Sequence, residues 1–162
     1  MKAIIYTSNT GTTEKYAKLL GEKLALPVYA AKTAPEIDGG VIYMGWVMAN
    51  TVSGLTEALN KYDVRAVCAV GMAPEASDKT VSALREKNPT QAPLFYLPGA
   101  FDIKKLSGMY KMMMNMVISK MKSEIKKKDM QGEAADKMMS MFTDGVDYFD
   151  EKHLLPVLEA LQ

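Results

Sequence analysis

Lys2-Ala3-Ile4-Ile5-Tyr6-Thr7-Ser8-Asn9-Thr10-Gly11-Thr12-Thr13 changes character halfway along its length. Residues 2–6 are a short apolar run, the pattern of a strand buried on both faces of a parallel sheet. Residues 7–13 then carry five hydroxyl side chains and a single glycine. Helical spacing follows at once, with apolar residues at Tyr16, Ala17, Leu20 and Leu24, before Pro27 bars continuation. A hydroxyl-rich loop between a strand end and a helix start aims backbone N–H groups and short side-chain donors at one point. That arrangement suits a phosphate dianion and needs no cation. The loop lacks the Gly-Lys-Ser/Thr ending of a nucleoside triphosphate loop and the three glycines of a dinucleotide fingerprint. A plainer reading, a polar turn capping a helix, stays open on these residues alone.

Outward from this stretch the same rhythm continues. Strand-like runs fall at residues 27–31, 41–45, 64–71 and 93–97, and helical patterns at 13–24, 53–62 and 77–87. Ser53 and Ser77 stand at helix starts as caps, and Asn88-Pro89 ends the third helix. Past the fifth strand only helices are expected, at about 104–127, 132–141 and 151–161. Five short strands joined mostly by helices predict an α/β fold: a doubly wound parallel sheet with helices on both faces. With no internal repeat or linker in sight, residues 1–162 read as a single domain. Ligands of such sheets sit at the carboxyl ends of the strands, which singles out the loops at residues 7–13, 45–51 and 72–77.

Composition agrees with a globular chain: 162 residues, 48% hydrophobic and 24% charged. The N-terminus runs directly into a strand with no leader-like region, which predicts a cytoplasmic location. Cys68, in the apolar run Val67-Cys68-Ala69-Val70, reads as a buried structural thiol. Net charge is +1, so no general attraction to nucleic acid is expected. Its distribution is uneven, because residues 104–128 hold eight lysines against one glutamate and the remainder is correspondingly acidic. His153 stands alone, so no Ser-His-Asp or Cys-His arrangement and no metal-ligand spacing is visible; catalytic and metal residues are expected to be none. Asp147, Asp150 and Glu151 read as helix-capping acids.

Ser8-Asn9-Thr10-Gly11-Thr12-Thr13, directly after the first strand, resembles the phosphate loop of the flavodoxin family. The resemblance covers residues 1–97 and the last helix, and it implies a flavodoxin-like sheet of five parallel strands in the order 2-1-3-4-5. It also implies non-covalent FMN, with the phosphate held by Ser8, Asn9, Thr10, Gly11, Thr12 and Thr13. The isoalloxazine ring would lie between the loops after the third and fourth strands. These are Gly45-Trp46-Val47-Met48-Ala49-Asn50-Thr51, with Trp46 as the stacking aromatic, and Met72-Ala73-Pro74, supplying backbone contacts. Trp46 packed in the core is the alternative. Unlike typical flavodoxins, neither loop is rich in acid at its centre, although Glu75 and Asp78 follow the second. Less negative charge near the ring predicts a second reduction potential less low than that of an acidic carrier.

The C-terminal part departs from flavodoxin. Leu106, Met109, Tyr110, Met113, Val117 and Met121 fall on one helical face, widened by Met112, Met114 and Ile118. This helical insertion, residues 104–128, reads in three ways: core packing by adaptable methionines, a homodimer or partner surface, or shallow attachment to an anionic membrane. Its layout is similar to the tail of flavodoxin-domain proteins related to the quinone-dependent bacterial protoporphyrinogen oxidase. The features that carry this likeness are a Gly99-Ala100 turn, the basic methionine-rich helix and the late Asp147-Tyr148-Phe149-Asp150 segment. That likeness implies electron transfer to quinone and a place at the inner face of the membrane. The expectation is therefore an FMN oxidoreductase or electron carrier with a redox partner protein. The alternatives are a quinone-linked porphyrinogen dehydrogenase and a flavin-free interaction module using the methionine face.

Overall fold

The computed structural model describes residues 1–106, 108–127 and 132–161. Lys128, the last lysine of the basic run, lies outside the described residues. By density of contact the chain divides into two units. Residues 1–99 and 148–162 form the first, and residues 100–147 form the second, which interrupts the first in sequence.

The first unit is a mixed α/β layer structure. Its strands are β1 (Ala3–Thr7), β2 (Val28–Ala30), β3 (Val41–Met48), β4 (Thr51–Val52), β5 (Val64–Gly71) and β6 (Leu94–Pro98). The mostly parallel sheet runs β2-β1-β3-β5-β6, with β4 added antiparallel to β3. Period-two alternation distributes each strand's side chains to two cores. Ile4, Ile42, Met44, Cys68 and Leu97 face α1 (Thr12–Leu24), which contributes Tyr16, Ala17 and Leu20, and the C-terminal Leu154 and Val157. Ala3, Ile5, Tyr43, Val67 and Tyr96 face the other way, toward Leu55 and Ala58 of α2 (Leu55–Lys61) and Leu84 of α3 (Asp78–Lys87). Helices thus cover both faces, as the apolar runs predict.

Two sequence expectations change here. The sheet has six strands rather than five, because residues 45–51 are not a loop. The third strand runs on to Met48, and Ala49 and Asn50, with φ of 49° and 61°, turn the chain back into β4. Left-handed geometry at both turn residues is the type I′ pattern, whose twist suits a two-residue hairpin. Gly45 permits it, since a Cβ there would lie 2.6 Å from Val52 Cγ1 and 2.7 Å from the Ser53 carbonyl oxygen. Nor does Ser53 cap α2. Its N–H donates to the Trp46 carbonyl (2.9 Å) as a continuation of the hairpin, and Gly54, at φ 77°, starts the helix instead. Ser77 does cap α3, accepting from the Thr80 N–H at 3.2 Å.

Buried Tyr16 fastens the C-terminal segment to the sheet. Its hydroxyl donates to the Pro98 carbonyl (2.7 Å), accepts from the Asp150 N–H (3.2 Å) and lies 3.0 Å from His153 Nδ1. Asp150 caps the 3-10 turn Glu151–Leu154, and α6 (Leu155–Leu161) follows it. The Tyr148 N–H donates to the Gly99 carbonyl at 3.2 Å, so the first unit leaves and resumes at neighbouring points.

The second unit begins with β7 (Ala100–Phe101), paired antiparallel with β8 (Val146–Asp147), so Gly99-Ala100 does not form a turn. After a 3-10 turn capped by Asp102 come α4 (Gly108–Lys127) and α5 (Glu133–Thr143), packed on one another. The inward line of α4 is Met114, Ile118, Met121 and Ile125, spaced at helical intervals. The face grouped by helical spacing is split: Met109, Tyr110, Met113 and Val117 are exposed, whereas Leu106 is buried and Met121 lies on the inward line. Apolar residues at 109, 110, 112–114 and 116–118 leave several stripes equally apolar, and packing selects among them.

Candidate functional site

The loop after β1 is built to leave donors unused. Gly11 sits at the N-cap of α1 in left-handed geometry (φ 98°), with no side-chain cap on the helix. The Lys15 N–H reaches back to the Gly11 carbonyl (3.0 Å), and the N–H groups ahead of it have no intrahelical acceptor. Space around Gly11 is open, since a Cβ there would have no atom within 4 Å. Ser8 Oγ accepts from the Gly11 N–H at 3.2 Å, which curls the loop over the helix mouth. Asn9 Nδ2 is buried and has no hydrogen-bond partner. Such an atom is costly unless something accepts from it. Among the other hydroxyls, Thr13 is buried, and Ser8, Thr10 and Thr12 are half-buried.

The register sets the second stretch beside this loop. Gly45 pairs with Thr7 across β1 and β3, and Trp46 pairs with Val70 on β5. Trp46 and Val47 are half-buried, and Met48, Ala49, Asn50 and Thr51 are exposed. The hairpin tip is held at the end of α3 by Asn88, which is only 4% exposed. Asn88 Oδ1 accepts from the Val52 N–H, and its Nδ2 donates to the carbonyls of Asn50 and Leu84, all at 2.7 Å. Gly45 and Trp46 therefore stand at the ends of β1 and β5, whereas Asn50 and Thr51 belong to the tip beside α3.

In the third stretch, Met72 and Ala73 are half-buried and Pro74 is exposed. Tyr96 clamps it: its hydroxyl accepts from the Ala73 N–H (2.7 Å) and donates to the Ala73 carbonyl (3.0 Å). Gly71 makes room, since a Cβ there would lie 2.7 Å from the Tyr96 ring.

Of three organising side chains, Tyr43 and Tyr96 were not among the residues that the sequence singles out, and Asn88 reads there only as the end of a helix. Tyr43 ties the first loop to the second. Its hydroxyl donates to the Ser53 carbonyl (2.7 Å), so the 2.7 Å contact with Thr7 must have Thr7 Oγ1 as donor. Gly54 lies directly beneath, where a Cβ would run into the Tyr43 hydroxyl. A tyrosine in a strand reads as core, and only its hydroxyl, at the strand's far end, could have signalled a partner.

Burial pushes both phenols up to about 12. A folded-state value above the ordinary phenol value of about 10 means that the folded protein holds its proton longer than the unfolded chain. The stability this represents is complete below pH 10 and is lost as pH rises toward 12. Melting temperature is expected to fall across that window, and to fall less steeply in Tyr43→Phe; equal slopes in a pH series of thermal melts would contradict this. Desolvation likewise pushes the Cys68 thiol up to about 12, in the middle of the sheet, which fits its structural reading.

Elsewhere on this unit a depression of about 560 Å³ runs along α1 and residues 149–151. Lys15 Nζ lies 3.7 Å above the Phe149 ring there. Among the described residues no three His, Cys, Asp or Glu side chains converge as metal ligands. No described helix is long and apolar enough to cross a membrane. No protein-family model matches the chain, and no curated protein matches it.

Proposed function

We propose that this protein is a flavodoxin-like oxidoreductase or electron carrier that binds FMN non-covalently. The observation that carries the reading is the loop after β1: an uncapped helix mouth, an open left-handed Gly11, and a buried Asn9 amide with nothing to donate to. A phosphate dianion is the ligand that would accept from all of these groups together. The order of the five parallel strands, β2-β1-β3-β5-β6, supports the reading, since numbered among themselves they run 2-1-3-4-5.

In this assignment Ser8, Asn9, Thr10, Gly11, Thr12 and Thr13 hold the phosphate, and the α1 dipole adds to their N–H groups. Trp46 and the stretch Met72-Ala73-Pro74 flank the ring, and Tyr43 and Tyr96 fix the backbones on either side. Bound FMN would supply one- and two-electron chemistry, and the chain would orient it and shield it from water.

Titration of the purified protein with FMN, riboflavin and FAD, followed by visible absorption, tests the assignment. Tight FMN binding with weak riboflavin binding is expected, because riboflavin lacks the phosphate. No perturbation of any flavin spectrum would overturn it.

A further inference from the structure

We propose that the outward face of α4 is a reversible oxidation site, where peroxide converts Met109, Met112 and Met116 to sulfoxides and leaves the fold intact. These three are the most exposed large apolar side chains among the described residues, at 63%, 65% and 67%. Spacing of three and then four residues sets them on one line of the helix, with Met113 and Val117 beside it. Other methionines are better protected. Met44 is fully buried in the sheet, and Met114 and Met121 are half-buried on the inward line of α4. Leucine would make an equally apolar line, but a thioether is the apolar group that takes up oxygen and can give it back.

The step needs no catalytic group from the chain. A thioether sulfur attacks one oxygen of hydrogen peroxide: an S–O bond forms, the O–O bond breaks, and the departing hydroxide takes the proton of the transferred oxygen and leaves as water. Sulfur loses two electrons and the peroxide gains them. Access to the sulfur sets the order of reaction, so exposure ranks the sites. Each sulfoxide replaces an apolar group by a polar acceptor, and three on one line turn an apolar surface into a polar one. Packing is spared, because the inward line, with Ile118 only 8% exposed, lies on the other side of the helix. The polarity of this face is thereby set by peroxide and reset by sulfoxide reductases, one for each epimer. This inference does not depend on the flavin assignment.

Hydrogen peroxide added to the full chain, with peptide mapping by mass spectrometry over time, tests it. Met109, Met112 and Met116 are expected to take up one oxygen each at least about fivefold faster than Met114, Met121 or Met44. A smaller ratio overturns the inference. When these three are oxidised the melting temperature should move by less than about 3 °C, as for other surface changes in a chain of this size, and a larger fall overturns the claim that the fold is spared. Incubation with both sulfoxide reductases and a thiol reductant should remove the oxygens, and their persistence would make the modification damage rather than a switch. Met109→Leu/Met112→Leu/Met116→Leu, apolar replacements at exposed helical positions, checks the change of surface. Peroxide should shorten retention of the wild type on a hydrophobic-interaction column and leave that of the variant unchanged. Equal shortening in both would place the responsive methionines elsewhere and overturn the inference.

Discussion

Thr10→Glu/Thr12→Glu is expected to lower FMN affinity more than a hundredfold while the protein stays folded. Both threonines are half-buried in the loop at the mouth of α1. Carboxylates there would occupy the dipole's positive end and oppose a phosphate dianion. Two unit charges about 5 Å apart repel by about 3 kcal/mol at an effective dielectric near 20, and the double variant places two carboxylates against a double charge. A hundredfold loss corresponds to about 2.8 kcal/mol, so the threshold is conservative. Riboflavin separates a local charge effect from unfolding, because its weak affinity should be nearly unchanged. Thr10→Ser/Thr12→Ser, which keeps the hydroxyls, should bind FMN within a few-fold of wild type. FMN affinity of the glutamate variant within threefold of wild type would remove the phosphate from this loop.

Asn88→Ala should cost the largest amount of stability of any single polar substitution in the first unit. Asn88 makes three hydrogen bonds of 2.7 Å from a site that is 4% exposed, and Val52, whose N–H it accepts, is 1% exposed. Truncation leaves that N–H without its acceptor in a dry environment, while the Leu84 carbonyl keeps only the Asn88 backbone N–H at 3.0 Å. A loss of about 3 kcal/mol follows, and for a chain of this size a melting temperature lower by about 6–12 °C. Hydrogen exchange should show the Val52 amide losing protection first, since it loses its acceptor. Asn60→Ala, at an exposed position on α2, serves as the comparison and should change the melting temperature by under about 2 °C. An equally small change in Asn88→Ala would mean that the hairpin is held by its backbone pairing with β3 alone.

The hairpin also marks where sequence reasoning stopped short. The run at residues 41–45 was legible as a strand, yet nothing in Trp46-Val47-Met48 separates a strand's end from a loop's start. Ala49-Asn50 is an uncommon turn pair, with no glycine to announce left-handed geometry, and β4 is too short to show alternation. Only the contacts of Val52 with its core, and of Asn88 with the tip, decide that these residues fold back. Misplacing the α2 cap has the same origin, because Ser53 was already committed to the hairpin and to Tyr43.

The basic, methionine-rich stretch illustrates a different limit. Helix was legible there from spacing, but α4 is apolar at 109, 110, 112, 113, 114, 116, 117 and 118, so several faces satisfy the same period. The chosen face depends on α5, which the local pattern does not contain.

From the sequence alone came the parallel α/β layers, the helices on both faces and the hydroxyl-rich loop at the first strand's end. These follow from local physics: apolar runs bury, prolines stop helices, and a polar turn before a helix leaves N–H groups facing outward. Tertiary structure alone decided which loop was a hairpin, which side of α4 faces out, and that Tyr43, Tyr96 and Asn88 hold the strand-end loops in place. Each of those outcomes is a hydrogen bond or packing contact between residues distant in sequence, and its free energy exists only after the chain has brought them together.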